Sequence, residues 1–169
     1  MNECTNGGQR MANPQSAIRN PQSAIGSPQS TIRNPQSAIP GVRWVELPSR
    51  VDARGVLTSI EGEIDVPFEI KRVFYMHAIV TDRGGHAHSD TDQVVIAAAG
   101  HFRMDLSDGT STQTYVLDDP TRGVYTPRMV FIRLYDFSPG AVCLVLASTH
   151  YDISKSIRSW EDYMKAIRV

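Results

Sequence analysis

The run Arg83-Gly84-Gly85-His86-Ala87-His88 holds the side chains of this sequence best suited to chemistry. Strand side chains alternate faces with period two, so His86 and His88 share one side of any extended segment. Residues 94–99 that follow are continuously apolar and stop at Gly100, the pattern of a buried strand ending in a turn. Two imidazoles are therefore expected to point together into the interior of a β-structure, where polar rings need partners. Imidazole is the side chain whose proton moves near neutral pH, so such a pair suits general acid–base work.

The elements that must hold this pair read as β. Residues 44–47 and 56–61 look like short strands, and 70–81 is a long run rich in β-branched and aromatic residues. Residues 101–106 follow the Gly100 turn, and Ser107-Asp108-Gly109-Thr110 is a hairpin signal leading into 113–117. Residues 123–126, 130–137 and 141–147 complete a set of about nine strands with no helix between them, which predicts an antiparallel sandwich or barrel. Ile157, Trp160, Met164 and Ile167 then recur at helical spacing, and Ser159 with Asp162 forms a candidate capping box. A single short C-terminal helix is expected to pack on the barrel.

Residues 13–40 are four tandem heptads, 13–19, 20–26, 27–33 and 34–40. Each copy contains a proline and one large apolar residue, which excludes a coiled coil. Such a segment cannot bury enough surface to offset its ordering entropy. Residues 1–40 are expected to be a disordered low-complexity tail, with 41–169 as one domain. The 169 residues carry a net charge of −1 with 21% charged side chains, so no basic face advertises nucleic acid. No apolar run approaches the ~18–20 residues that span a membrane, and the N-terminus lacks the layout of a secretory signal. Cys143 sits in an apolar run and Cys4 in the tail, so no disulfide framework is expected and the reducing cytoplasm is the expected compartment.

The spacing of His86, His88, Gln93 and Gly100 resembles the first sequence motif of the cupins, which are small jelly-roll β-barrels. Gln93 stands where metal-binding cupins keep Glu, and the segment matching their second motif, residues 124–134, has Pro127 but no histidine. Divalent metals ask for several anionic or imidazole donors, so neither metal nor any other cofactor is expected. A larger set of residues is similar to the sugar 3,4-ketoisomerases that act on dTDP-4-keto-6-deoxyglucose, relatives of the WxcM-like C-terminal domain. That set comprises Arg54-Gly55-x-Leu57-x-x-Ile60-Glu61, the run from Pro67 through Lys71-Arg72-Val73-Phe74-Tyr75, the Gly-Gly-His-Ala-His segment, residues 144–148, and Tyr151-Asp152. The match spans roughly residues 42–165. It implies an all-β cupin that binds a dTDP-linked 4-keto-6-deoxy sugar and pairs as a homodimer, with residues 42–47 as a candidate exchanged strand.

The chemistry of such an isomerisation is simple. A base removes the proton at carbon 3, which the neighbouring ketone acidifies, and the resulting enediol is reprotonated at carbon 4. Two close imidazoles suffice. His86 is assigned as the base and His88 as its partner. Tyr75 matches a family tyrosine beside the sugar, and His77 lies on the same face of a regular strand. Arg83 is a candidate for the diphosphate, because a guanidinium fork suits phosphate oxygens; the alternative is an exposed turn arginine. Arg54 fits the family's Arg-Gly and faces either the ligand or Glu61. Gln93 orients His88, contacts the sugar or fills space. Arg72, Tyr125 and Arg128 are weaker candidates for substrate binding, and His101 is a departure from the family pattern. Competing readings are a dTDP-sugar 3,5-epimerase and a non-catalytic sugar-binding cupin.

Overall fold

Residues 94–97 are apolar at every position because the strand they form is covered on both faces. Val95 and Ala97 point into a core with Val124, Cys143 and Val145. Val94 and Ile96 point the other way, into a second cluster with Val45, Leu47, Val66, Phe68 and Leu146. The computed structural model describes residues 37–168. Its first sheet runs β1 (Arg43–Glu46), β9 (Arg122–Thr126), β6 (Gln93–Ala99), β11 (Val142–Ala147), β4 (Arg72–Met76). Its second sheet runs β12 (Ser156–Ile157), β5 (Arg83–His88), β10 (Phe131–Tyr135), β7 (Phe102–Ser107), β8 (Thr112–Leu117). The larger core lies between them, and the strand pairing within both sheets is antiparallel. The architecture is the expected all-β jelly roll.

Two features differ from expectation. The strand expected over residues 56–61 is the second arm of an exposed hairpin, β2 (Ser49–Asp52) and β3 (Gly55–Thr58), which forms a sheet of its own. β1 pairs with β9 of its own chain, and Val45 and Leu47 are buried there. Ile157 belongs to β12, and the helix α1 begins only at Trp160 (Trp160–Ala166). Ser159 caps it as the capping box predicts, accepting from the Asp162 amide at 3.1 Å and donating to the Asp162 carboxylate at 2.7 Å. The buried Tyr163 then locks the helix down, its hydroxyl 2.9 Å from the carbonyl oxygens of both Ser107 and Met129. No helix among the described residues is long and apolar enough to cross a membrane.

The heptads of residues 13–36 lie outside the described residues, but residues 37–40 of the segment assigned to the tail are packed. Ile39 is 1% exposed within the main core. Ser37 donates to Gln113 Oε1 at 3.0 Å and accepts from the Tyr115 hydroxyl at 2.9 Å. Deleting residues 1–36 is therefore expected to leave the melting temperature unchanged. Deletion through Ile39 removes a core side chain worth about 2–5 kcal/mol and lowers it by several degrees. Equal melting temperatures for the two truncations, by calorimetry, would refute this placement.

Candidate active site

The two sheets part along one edge, where β4 of the first faces β5 and β12 of the second, and the gap is a cleft of about 370 Å³. His86 and His88 line it from β5, Arg72 and Phe74 from β4. Tyr151, Ser156 and Arg158 close it from the segment between β11 and α1. The Nε2 atoms of His86 and His88 are 3.1 Å apart, with the rings edge to face at a centroid separation of 4.8 Å. His88 Nδ1 faces the Ser156 hydroxyl at 3.4 Å, so the far side of the pair has a polar neighbour.

Local backbone geometry aims this pair. Gly84 and Gly85 both have positive φ, at 81° and 71°, which non-glycine residues adopt only with strain. A Cβ on Gly84 would come within 2.6 Å of the Ile132 carbonyl oxygen, so β5 passes β10 at glycine contact. The register slips between Ile132 and Arg133 at that point. Beyond the slip the chain is extended and presents His86 and His88 to the cleft, with Ala87 buried between them.

Burial disfavours charge on both rings. His86 is pushed below the usual imidazole range first by burial and then by the positive charge of Arg158, against a hydrogen bond to the Gly84 backbone that raises it. His88 is pushed down to about 4 by burial, with His86 and Arg72 adding to the shift and Asp90 opposing it. Both are neutral at pH 7, the state a general base requires. Arg72 is held between two aromatic faces, with its guanidinium carbon 5.2 Å from the ring centres of Phe74 and of Tyr151. Its buried Nε has no hydrogen-bond partner among the described residues, so it is a donor still open to a ligand in the cleft.

The chain folds around its cleft in the way a known family does. The model of the FdtA family, "WxcM-like, C-terminal", matches residues 40–168. The chain belongs to this family. The TDP-4-oxo-6-deoxy-alpha-D-glucose-3,4-oxoisomerase of Aneurinibacillus thermoaerophilus is 39% identical over 119 residues, 69% of this chain and 86% of that protein. Among solved structures, a 3,4-ketoisomerase from Helicobacter canadensis aligns with a TM-score of 0.74 at 30% identity, over 76% of this chain and 98% of that one. A histidine-to-asparagine variant of the 3,4-ketoisomerase QdtA from Thermoanaerobacterium thermosaccharolyticum, in complex with TDP-4-keto-6-deoxyglucose, aligns with a TM-score of 0.75 at 34% identity, over 77% and 96%.

Against this family background the cleft collects His86, His88 and Arg72 and leaves other candidates elsewhere. Tyr75 does not line it. Arg72 and Phe74 face the cleft, so strand alternation turns Tyr75 to the opposite side of β4, where it is 64% exposed. His77 goes with it, its ring 5.6 Å from that of Tyr75. Tyr125 faces the outer cluster, 6.3 Å from the Phe68 ring and beneath the Arg43 guanidinium at 4.3 Å. Arg83 is exposed at the start of β5, ahead of the glycines that turn the strand inward. Arg54 sits on the β2–β3 hairpin, paired with Asp52 at 2.6 Å rather than with Glu61. Arg128 pairs with Asp92 at 3.3 Å, and His101 is exposed in the β6–β7 turn. Gln93 is 4% exposed and shares a smaller void with His86. Sequence reasoning gave no role to Phe74, Ser156 and Arg158; the last two belong to a stretch taken for the approach to the helix. Among the described residues no group of three His, Cys, Asp or Glu comes together to hold a metal.

Proposed function

We propose that this chain moves the ketone of a TDP-linked 4-keto-6-deoxyhexose from carbon 4 to carbon 3. The observation that carries the reading is the neutral imidazole pair, 3.1 Å apart, in a cleft that also presents a buried, unpartnered arginine donor. His86 takes the proton from carbon 3 while O4 gains one, which gives the enediol. O3 then releases its proton, carbon 4 receives one, and the ketone stands at carbon 3. Carbon and oxygen each lose and gain one proton, so nothing is oxidised overall and no external electron acceptor is needed. His88 serves the transfer between the two neighbouring oxygens. Arg72 and Arg158 supply positive charge for the diphosphate, Arg72 with a planar fork already oriented by Phe74 and Tyr151. Two imidazoles and an amide are a poor donor set for a divalent cation, so the reaction is assigned to the side chains alone.

Incubation with TDP-4-keto-6-deoxyglucose in deuterated water, read by proton NMR, tests this. The 3-keto sugar should appear with solvent deuterium at carbon 4, at the same rate with and without EDTA. Epimerised 4-keto product would favour a 3,5-epimerase instead, unchanged substrate a binding module, and loss of turnover to chelator a metal enzyme.

The same reading includes a homodimer working in the cytoplasm. Val73 and Tyr75, 56% and 64% exposed, lie on the outer face of the edge strand β4. Val51, Val56 and Leu57, at 77%, 60% and 62%, crowd the free-standing hairpin. Exposed apolar surface beside an unpaired edge calls for cover. Light scattering at micromolar concentration is expected to give twice the chain mass. Val56→Asp with Leu57→Asp should halve it, and a wild-type monomer would overturn the proposal.

A further inference from the structure

Phe74 and His86 wall not only the cleft but a second void of about 70 Å³. Met76, Val95 and Val145 of the first sheet and Ile132 and Leu134 of the second also line it, which places it between the sheets. Val95, Val145, Leu134 and Ile132 are each 5% exposed or less. Apart from His86, Gln93 is the sole polar side chain of this lining. A void walled mainly by aliphatic side chains favours an apolar guest over a polar one.

The two spaces together have a direction. Arg72 and Arg158 line the cleft and not the void; the aliphatic side chains line the void and not the cleft; the imidazole of His86 belongs to both. The proposed substrate has the same order of chemistry. Its diphosphate leaves the ring at carbon 1, its reacting carbons are 3 and 4, and carbon 5, next to carbon 4, carries a methyl group. With the phosphates at the arginines and carbons 3 and 4 at His86, that methyl is the apolar group closest to the void.

We infer that the void behind His86 is a subsite for the carbon-6 methyl of the sugar, so that the absence of a 6-hydroxyl is recognised directly. This rests on the proposed reading of the substrate and adds to it the residues that distinguish a 6-deoxy sugar from its hydroxymethyl counterpart. Seating the methyl also fixes the rotation of the ring about the cleft, which decides the carbon that meets the His86 nitrogen. A hydroxymethyl group at the same place buries an oxygen among aliphatic walls, at a cost in affinity.

Calorimetric titration of the intact protein with three stable probes, TDP, TDP-6-deoxyglucose and TDP-glucose, tests the assignment without requiring turnover. The wild type should bind TDP-6-deoxyglucose roughly 10–100-fold more tightly than TDP-glucose, the range a hydrophobic pocket achieves against an added hydroxyl. Val145→Ile, which puts one more methylene into the void, should weaken TDP-6-deoxyglucose about tenfold and change TDP by less than twofold. Val145→Phe should abolish the gain that the sugar brings over TDP, and its retained TDP affinity would report that the variant is folded. Equal wild-type affinity for the two sugars would overturn the subsite, as would a Val145→Ile variant that weakens TDP and TDP-6-deoxyglucose alike. A methyl preference in a protein that fails to isomerise the 4-keto sugar would keep the subsite and remove the isomerase reading. Isomerisation without the preference would do the reverse.

Discussion

Replacing His86 by Asn is expected to leave the fold and nucleotide-sugar binding in place and to remove isomerisation. Asn reaches a similar distance and still forms hydrogen bonds, but it takes no proton at neutral pH. Positioned general bases contribute typically ~10²–10⁴-fold, so the loss in kcat should be at least that large. The pH profile gives a second readout. Because burial and the Arg158 charge hold the His86 pKa below its ordinary value, the acid limb of kcat/KM in the wild type should lie below the usual imidazole value of ~6.5. Stability should follow the same direction. A histidine whose folded pKa is depressed binds fewer protons in the native state than in the unfolded chain. The melting temperature should therefore be flat above ~6.5 and fall as pH drops toward the His88 value of about 4. An His86→Asn enzyme within tenfold of wild type, beside an inactive His88→Asn, would exchange the two roles. Activity in both variants would make the pair structural.

The second large effect is expected at Arg72. Arg72→Met keeps a long apolar stem between Phe74 and Tyr151 and removes the fork. Charge-assisted hydrogen bonds are worth roughly 1.5–3 kcal/mol, which is about 10–100-fold in affinity, so KM should rise by that factor with a smaller change in kcat. Arg72→Lys should rescue only part of the loss, because a point charge does not reproduce a planar pair of donors. Arg72 is also one of the charges that hold the His88 pKa down, so in Arg72→Met the His88 resonance followed by NMR should titrate at higher pH. A KM within twofold of wild type would show that the buried Nε meets no substrate. Tyr75→Phe is the internal control. On the outer face of β4 it should leave KM and kcat within twofold.

Much of this architecture was legible because its signals were local. The Gly100 stop, the Ser107-Asp108-Gly109-Thr110 hairpin and the Ser159/Asp162 cap are each decided within a few residues, and each stands where the spacing put it. His86 and His88 were legible for the same reason, since alternation along one strand is enough to join them. The failures share a different cause. Tyr75 is drawn to the site by family resemblance and Tyr125 by residue type, although strand alternation relative to Phe74 and Val124 turns them away from the core between the sheets. The facing of a strand depends on which side the other sheet covers, and where apolar residues stand on both faces, as in Val73-Phe74-Tyr75-Met76, hydrophobicity alone does not reveal it. Ser156 and Arg158 come from a short segment with no period of its own, brought to the cleft by β12 pairing with β5. That is a long-range contact with no trace in the spacing. Ile39 carries no mark of its own because each heptad holds one isoleucine in an otherwise small and polar copy, so nothing in the spacing sets the last apart.

The docking of α1 has a consequence for when the protein becomes competent. The strands that carry both imidazoles and Arg72 are complete by Ala147, yet Tyr151, Ser156 and Arg158 follow them in the chain. These three are held by a two-residue strand and by a seven-residue helix pinned through Tyr163. Helices that short have little stability of their own, so the seating of that phenol supports the wall beside the pairing of β12 with β5. A nascent chain would carry its acid–base pair in an open trough until residues 151–166 were made. In the finished protein the same joint is the place where a brief local opening would switch the cleft off while leaving the two sheets and their core undisturbed.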